Sequence, residues 1–263
     1  MTRQNFYARR KQRRRREVDG ELIGELVKQE RRIQPRLGVR KLRVVLGEQL
    51  EEAGVSVGRD RWFEELREQG LLVAPRRATH ARTTNSRHAM GVFTNQFEDL
   101  EIDGPHQAWV SDLTYLRSEE GFLYLALVTD HGSRKIVGYH CADSLEAVGC
   151  LRALDQAIAQ LPPGVRPMHH SDRGSQYCCR EYVGRLREHG ISISMSEINH
   201  CAENALAERI NGILKVEYAL DQRFATKKQA RVAVEQAVHL YNTRRPHTSL
   251  AMRCPQEIHA MAA

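Results

Sequence analysis

Three acidic residues stand where a carboxylate is either costly or well placed to bind a ligand. Asp112 interrupts the apolar, strand-like run WVSDLTY, where a charge is unfavourable unless it is paired or binds a metal ion. Asp172 follows a strand-like run in HHSDRGS, and ligand sites in α/β sheets usually form at the carboxyl ends of strands. Glu208 lies in the helix-like segment ENALAERINGILKVE. These three residues are the first candidates for chemistry.

The segment that carries Glu208 has two distinct faces. At about 100° per residue, one stripe contains four polar residues, namely Asn204, Glu208, Asn211 and Lys215. The opposite side contains Leu206, Ile210 and Ile213 and is expected to face the core. Glu217 falls on this apolar side, and the pattern alone offers no reason for it.

Three carboxylates are the oxygen donors that hard cations such as Mg²⁺ and Mn²⁺ prefer. Two such ions, about 4 Å apart, can activate an attacking oxygen and neutralise a leaving one during phosphoryl transfer. Each acid alone also has an ordinary interpretation: a surface ion pair for Glu208, a turn cap for Asp172 and a hydrogen-bonded strand residue for Asp112. Their joint arrangement favours a metal site.

The pattern of elements predicts a mixed α/β sheet that positions these acids. The predicted strands are 106–116, 121–130, 134–142, 165–171 and 191–195, with helices at 144–161, 177–189 and 202–241, the last broken around 223–226. This is the order βββαβαβα, with five strands and with helices packed on the sheet. We assign 106–222 to a catalytic core and 223–263 to a C-terminal helix and tail.

The basic charge is concentrated in the first third of the chain. Residues 1–90 contain 22 Lys and Arg against 12 Asp and Glu, whereas the remainder contains 18 against 21. We assign 1–18 to a basic arm, 19–75 to a helical domain that resembles a helix-turn-helix unit, and 76–105 to a linker. A basic module beside a nearly neutral one indicates binding to a polyanion.

Several basic residues are candidates for contact with DNA phosphates. They are Arg14 and Arg15 in the arm, Arg59 and Arg61 in the third helix, Arg173 after Asp172, Lys215 after Glu208, and Arg244 and Arg245 near the end. Asn204 and Asn211, on the same stripe as Lys215, are further candidates for contact with DNA. Other interpretations remain open: a solvated tail for the arm, a plain helical bundle for 19–75, and a turn that packs the last helix on the sheet for the segment around Arg245.

Composition excludes several other classes. No run of about 18 apolar residues is present, so a membrane-spanning helix is not expected, and the charged N-terminus does not resemble a secretory signal. The six cysteines include no CxxC pair and indicate neither a zinc site nor a disulfide framework. We expect a cytoplasmic, nucleoid-associated protein.

Taken together, the motifs resemble a known family. WVSDLTYL, HHSDRGSQY, SISMS, ENALAERINGILKVE and YNTRRPHTSL are similar to the catalytic, second-reading-frame proteins of insertion-sequence transposases, within the retroviral-integrase-like DDE superfamily. The 35 residues between Asp172 and Glu208, and a lysine seven places after that glutamate, match the same superfamily. The resemblance covers residues 20 to 257.

The resemblance implies an RNase H-like core in which Asp112, Asp172 and Glu208 bind two Mg²⁺ or Mn²⁺ ions. It implies cleavage of double-stranded DNA at the element's ends, then attack of the freed 3′-OH on target DNA. It also implies a homo-oligomer on DNA, and an upstream-frame protein that acts as a partner or as a fusion.

One position departs from the family pattern. Glu203 stands where an aspartate is common, but it lies five residues before Glu208 and therefore points elsewhere on the helix. We retain Glu208 as the ligand. The competing hypotheses are a non-catalytic DNA-binding regulator derived from a transposase, and a metal-dependent nuclease that does not join ends.

Overall fold

The computed structural model describes residues 3–74, 90–97, 100–197 and 204–261. The chain divides into two compact units, Met1–Arg77 and Ala78–Ala263. Glu203 and Cys201 lie outside the described residues, and the five described cysteines are free thiols. No helix within the described ranges is long and apolar enough to cross a membrane.

The first unit is helical, as the sequence predicts. Its helices are α1 Arg3–Ile33, α2 Val39–Val45, α3 Gly47–Glu52 and α4 Arg59–Glu68. The basic residues of the predicted arm, including Arg14 and Arg15, lie in the exposed first half of α1. The second half of α1 packs on the other helices through Ile23 and Val27. A turn at Leu46 separates α2 from α3, whereas the sequence pattern predicts one continuous helix ending near Gly54.

The second unit contains a sheet with helices on both faces. Its strands are β1 Ala108–Ser118, β2 Gly121–Asp130, β3 Ile136–Ala142, β4 Met168–Ser171, β5 Ser192–Met195 and the short β6 Arg223–Phe224. Its helices are α5 Ala147–Ile158, α6 Ser175–Cys178, α7 Arg180–Glu188, α8 Ala205–Glu217, α9 Lys227–Thr243 and α10 Pro255–Ala260, with a 3-10 turn at Thr248–Leu250.

The strand order is β3-β2-β1-β4-β5. The first three strands form an antiparallel meander, and β4 and β5 extend it in parallel with β1. This confirms the predicted mixed sheet and its flanking helices. Two details differ: the sheet gains a sixth strand, β6, beside the end of β1, and the predicted helix at 177–189 is the pair α6 and α7.

Two apolar clusters cover the two faces of the sheet. Helices α5, α6 and α7 pack on one face around Trp109 and Leu154, whereas α8 and α9 pack on the other around Ile210 and Tyr241. Helix α5 approaches β3 so closely that a Cβ on Gly138 would clash with the backbone carbonyl of Ala153 in α5. Because both faces of the sheet are buried, β2 is apolar along most of its length.

Candidate active site

The pairing of β1 with β4 brings two of the predicted acids together. The parallel register places Ser111 opposite Ser171, so the next residues, Asp112 and Asp172, lie beside each other on neighbouring strands. Adjacent strands are about 4.8 Å apart, which sets the scale of the separation between the two backbones. Asp172 leaves the sheet at the end of β4, as the sequence indicates, and it is partly buried.

A tight turn holds the Asp172 carboxylate. Its Oδ1 accepts a hydrogen bond of 3.0 Å from the backbone N–H of Gly174. A Cβ at Gly174 would lie 2.9 Å from this same oxygen, so a larger residue would push the carboxylate aside. The glycine in the SDRGS segment therefore lets the backbone approach the acid closely without displacing its carboxylate.

Helix α8 presents Glu208 beside β1 and is fixed there by two side-chain amides. Asn204 Nδ2 donates a 3.0 Å hydrogen bond to the Ser111 carbonyl, and Asn211 Nδ2 donates a 2.6 Å bond to Asp112 Oδ2. Both asparagines are 5% exposed, whereas Glu208 in the first turn of the helix is exposed. The polar stripe predicted from the sequence is thus the face that docks on β1.

The negative charges of Asp172 and Glu208 both act on the carboxyl group of Asp112. Burial, then the neighbouring Asp172, and to a smaller degree Glu208, raise the pKa of Asp112 from 3.8 to about 7. Hydrogen bonds from Asn211 and from the Leu113 N–H oppose this effect. A proton or a cation at Asp112 therefore relieves a repulsion that the fold itself creates.

These residues fit a divalent metal ion. All three side chains offer hard oxygen atoms, and burial together with the charges of Asp172 and Glu208 raises the pKa of Asp112. The amide oxygens of Asn204 and Asn211 are buried without a hydrogen-bond partner and can accept from metal-bound water. The three acids are not gathered tightly, because the only trio of His, Cys, Asp or Glu in the described residues with ligand atoms within 4.8 Å lies elsewhere, at His106, Asp130 and His259.

Two of the predicted basic contacts lie near the site. The Lys215 ammonium sits 4.7 Å from the centre of the Tyr115 ring; burial lowers the pKa of Lys215, and the charge of Asp112 partly restores it. Arg173 is partly buried, and its Nε donates to the Ser196 carbonyl over 2.8 Å. Arg173 thereby joins the turn after β4 to the end of β5.

Arg245, predicted to contact DNA, is instead buried. Its guanidinium donates to Glu217 at 2.7 and 2.9 Å, and the Arg245 side chain is only 3% exposed. The acid on the apolar side of α8 is therefore the partner of this arginine. Arg244 is exposed, at the surface end of the same segment.

The segment YNTRRPHTSL, residues 241–250, bonds the end of α9 to the sheet. The Asn242 amide bonds both the N–H and the carbonyl of Ile136 on β3, each at 2.9 Å. The Tyr241 hydroxyl donates to the Arg134 carbonyl and also contacts His247 Nε2, both at 3.0 Å. Sequence reasoning missed Asn242, because a polar residue in a helix gives no local sign of a distant strand.

The N-terminal candidates differ in their exposure. Arg14, Arg15 and Arg59 are exposed, and Arg15 also donates to the Gly54 carbonyl. Arg61 is partly buried, because it bonds Glu65 and the backbone carbonyl of Arg16 and so joins α4 to α1. Arg61 thus serves packing within the first unit.

The two histidines before Asp172 serve the core. His169 Nε2 lies 2.8 Å from Ser111 Oγ and 2.9 Å from the Tyr182 hydroxyl, which links β1, β4 and α7. His170 Nδ1 lies 2.9 Å from Ser194 Oγ on β5. The two rings face opposite sides of the sheet, and both histidines are fully buried.

The fold and the paired acids define a class of protein. The family described as Integrase core domain matches residues 103–201, and a second profile with the same description matches 189–255. Among solved structures, the simian T-cell lymphotropic virus intasome shows the same fold, with a TM-score of 0.52 and 19% identity over 78% of this chain and 67% of that chain. The second unit is therefore an RNase H-like, integrase-type core.

Relatives at higher identity narrow the class to a family. A 31 kDa protein of insertion element IS600 from Shigella sonnei is 34% identical, covering 86% of this chain and 84% of the relative. The IS629 transposase from Shigella sonnei is 34% identical over 84% of this chain and 72% of the relative, and the IS3 transposase InsF from Escherichia coli K12 is 33% identical over 73% and 67%. The chain belongs to the IS3 family of insertion-sequence transposases in the DDE superfamily, and it is a polynucleotidyl transferase. The predicted family and enzyme class are confirmed.

Proposed function

We propose that this transposase cleaves DNA at the ends of its insertion sequence and joins the freed 3′-OH to target DNA, with Asp112, Asp172 and Glu208 as the catalytic acids. The observation that carries the proposal is the β1–β4 register, which sets Asp112 beside Asp172. Helix α8 then adds Glu208 from the same side, held by the bond from Asn211 to Asp112.

The three acids would hold two divalent ions, Mg²⁺ or Mn²⁺. Such ions supply activation of the attacking oxygen and neutralisation of the leaving oxygen during in-line transfer at phosphorus. The protein contributes a fixed set of hard donors, because Gly174 orients Asp172 and Asn211 orients Asp112. It also contributes a repulsive cluster that favours cations over protons above pH 7.

The surroundings of the acids suit a DNA backbone. Lys215 lies on the same helix as Glu208, seven residues further on, and its ammonium is close enough to Asp112 for the carboxylate to raise its pKa against the effect of burial. We assign Lys215 and the partly buried Arg173 to contacts with phosphate near the cleaved bond. Asn204 and Asn211 position α8 for this contact, since both are bonded to β1.

Double-stranded DNA would also bind the first unit. Arg14, Arg15 and Arg59 are exposed and provide sequence-independent attraction to phosphate, with Arg244 as a further contact from the second unit. Arg61 and Arg245 are left out, because each is held by a glutamate within its own unit. We further propose that the helices of 19–75 act as a helix-turn-helix-like reader of the element's ends, and that 76–105 links them to the core at 106–222, with 223–263 as the helix and tail that close it.

Two further expectations concern assembly. Joining two element ends to one target requires active sites that act together, so we propose a homo-oligomer on DNA and an association with the nucleoid. We also propose that an upstream-frame product joins this chain as a partner or as a fusion. Analytical ultracentrifugation with and without element-end DNA tests the homo-oligomer. Sequencing of the native protein tests the fusion with an upstream-frame product.

A strand-transfer assay tests the catalytic assignment. Purified protein, Mg²⁺ and a labelled duplex with the element's terminal repeat should give nicked DNA and then DNA joined to a second duplex. Asp112→Asn, Asp172→Asn and Glu208→Gln should each abolish both products while DNA binding in a gel-shift assay persists. Glu235→Gln, which removes an exposed acid of α9, is the matched control and should retain both products.

The outcomes separate the competing hypotheses. Nicking without joining in the wild type would indicate a nuclease, and binding without nicking under all metals would indicate a regulator. Full activity in Glu208→Gln would remove the third acid from the site.

A further inference from the structure

A second cluster of metal-ligand residues lies away from the paired acids. His106 comes just before β1, Asp130 ends β2, and His259 lies in α10. Each offers one ligand atom, and the three atoms all lie within 4.8 Å of one another. Asp130 is the cross-strand partner of Trp109, three residues before Asp112, so the cluster is about 10 Å along the strand from the acids.

His106 is held in an unusual conformation with a ring nitrogen unused. Its backbone φ is +62°, a left-handed value that side chains other than glycine adopt at a cost, and its N–H donates 2.7 Å to Asp130 Oδ2. Its Nδ1 is buried without a hydrogen-bond partner. A buried ring nitrogen without a partner is unfavourable, which suggests that another atom bonds it in the working protein.

Asp130 and His259 complete a set of donors. Asp130 is 0% exposed, and its Oδ1 accepts from the N–H and the hydroxyl of Ser133 at 2.8 and 2.7 Å. His259 is 6% exposed, and its Nδ1 lies 2.9 Å from the Ser133 hydroxyl and 3.9 Å from Asp130 Oδ1. The ligand atoms of His106, Asp130 and His259 therefore converge on one point in the fold.

We propose that His106, Asp130 and His259 bind one Zn²⁺ ion that ties α10 to the sheet. Two imidazole nitrogens and one carboxylate oxygen suit zinc, whereas Mg²⁺ prefers oxygen donors alone. Ser133 or a water molecule supplies the fourth position. Asp130 and His259 are buried and His106 is partly buried, so we assign the ion a structural role. It links residues 106, 130 and 259, which are far apart in the chain, and metal binding of this kind adds directly to folding free energy.

Zinc uptake by the untagged full chain tests this proposal. Protein stripped with a chelator and returned to metal-free, reducing buffer is titrated with ZnCl₂, with bound zinc measured by mass spectrometry and the melting temperature by scanning calorimetry. We expect one equivalent of zinc in addition to any bound by surface groups. At a hundredfold excess of free zinc over its dissociation constant, the melting temperature of the second unit should rise by roughly 5–10 °C.

Matched variants separate this site from others. His106→Asn removes the imidazole but keeps a residue that tolerates positive φ, so the variant should fold while losing the equivalent of zinc and the thermal shift. His239→Gln, which removes an exposed histidine of α9, should retain both. Co²⁺ in place of zinc should give the visible absorption of a tetrahedral site in the wild type and not in His106→Asn. Equal zinc uptake by His106→Asn and the wild type, or no thermal shift in the wild type, would show that the cluster is a hydrogen-bonded network without metal.

Discussion

Asp112 is predicted to weaken the fold of the metal-free protein at neutral and alkaline pH. Its pKa is raised from 3.8 to about 7, mainly by burial and then by Asp172. Below about pH 4 both the folded and the unfolded chain hold this proton. As the pH rises from 4 to 7 only the folded chain retains it, so the stability that Asp112 contributes is lost with rising pH and the full penalty applies above pH 7.

The structure sets the size of this effect and its removal by Asp112→Asn. A difference of about three pH units is worth about 4 kcal/mol at about 1.4 kcal/mol per unit. The asparagine keeps the acceptor for the Leu113 N–H, and a flip of the Asn211 amide lets its unpartnered Oδ1 accept from the new amide. Small movements of the site relax some of the repulsion. We therefore expect the free energy of unfolding of Asp112→Asn to exceed that of the wild type by about 2 kcal/mol at pH 8 and by almost nothing at pH 4.

Urea unfolding in EDTA measures this difference. In a Trp62→Phe background the remaining Trp109, which is 1% exposed in the core of the second unit, reports on that unit alone. Added Mg²⁺ should stabilise the wild type more than Asp112→Asn, because the variant lacks one of the carboxylates whose charge the ions would neutralise. Asp143→Asn is the control of opposite sign, since a hydrogen bond from Lys227 lowers the pKa of Asp143 and its removal costs stability at pH 8. A variant that is no more stable than the wild type at pH 8, or a gain that is equal at pH 4 and pH 8, would refute the reasoning.

Two other predictions address the basic residues. Arg245→Met should lower the free energy of unfolding in urea by about 3 kcal/mol, because it removes the buried ion-pair partner of Glu217. The double variant Arg245→Met/Glu217→Leu should recover most of that loss. A double variant as unstable as the single one would contradict this. The double variant Arg14→Gln/Arg15→Gln should lower the slope of log affinity against log salt by about 2, at about 0.9 for each phosphate contact, when DNA binding is followed by fluorescence anisotropy; an unchanged slope would exclude both arginines from the interface.

The local sequence pattern was sufficient to predict the meander and to single out two acids as candidates. The strand predicted at 121–130 coincides with β2, because a glycine turn and an aspartate bound an unbroken apolar run. Asp112 and Asp172 were noticeable for the same reason, since a charge inside or directly after a buried strand is conspicuous in the sequence. What the sequence does not state is the register, and the register is what makes the two residues neighbours.

Long-range pairs were beyond the reach of periodicity. The break between α2 and α3 has no proline or cap to mark it, and β6 has only two residues. The charge pattern could not show that Arg245 is buried, because that depends on Glu217, 28 positions earlier in the chain. His106, Asp130 and His259 come together only after the sheet and α10 have folded, so no motif spacing could indicate them.

The buried ion pair between Arg245 and Glu217 connects the segment YNTRRPHTSL to helix α8. Helix α8 carries Glu208 near its start, where Asn204 and Asn211 bond it to β1, and Glu217 at its end, where Arg245 holds it. A helix fixed at both ends has little freedom to tilt, so its first turn keeps the third acid at a constant distance from the other two. Under the proposed function, Arg245 therefore acts through the position of Glu208 and not through a phosphate contact of its own, which would connect the end of the chain to the proposed catalytic acids.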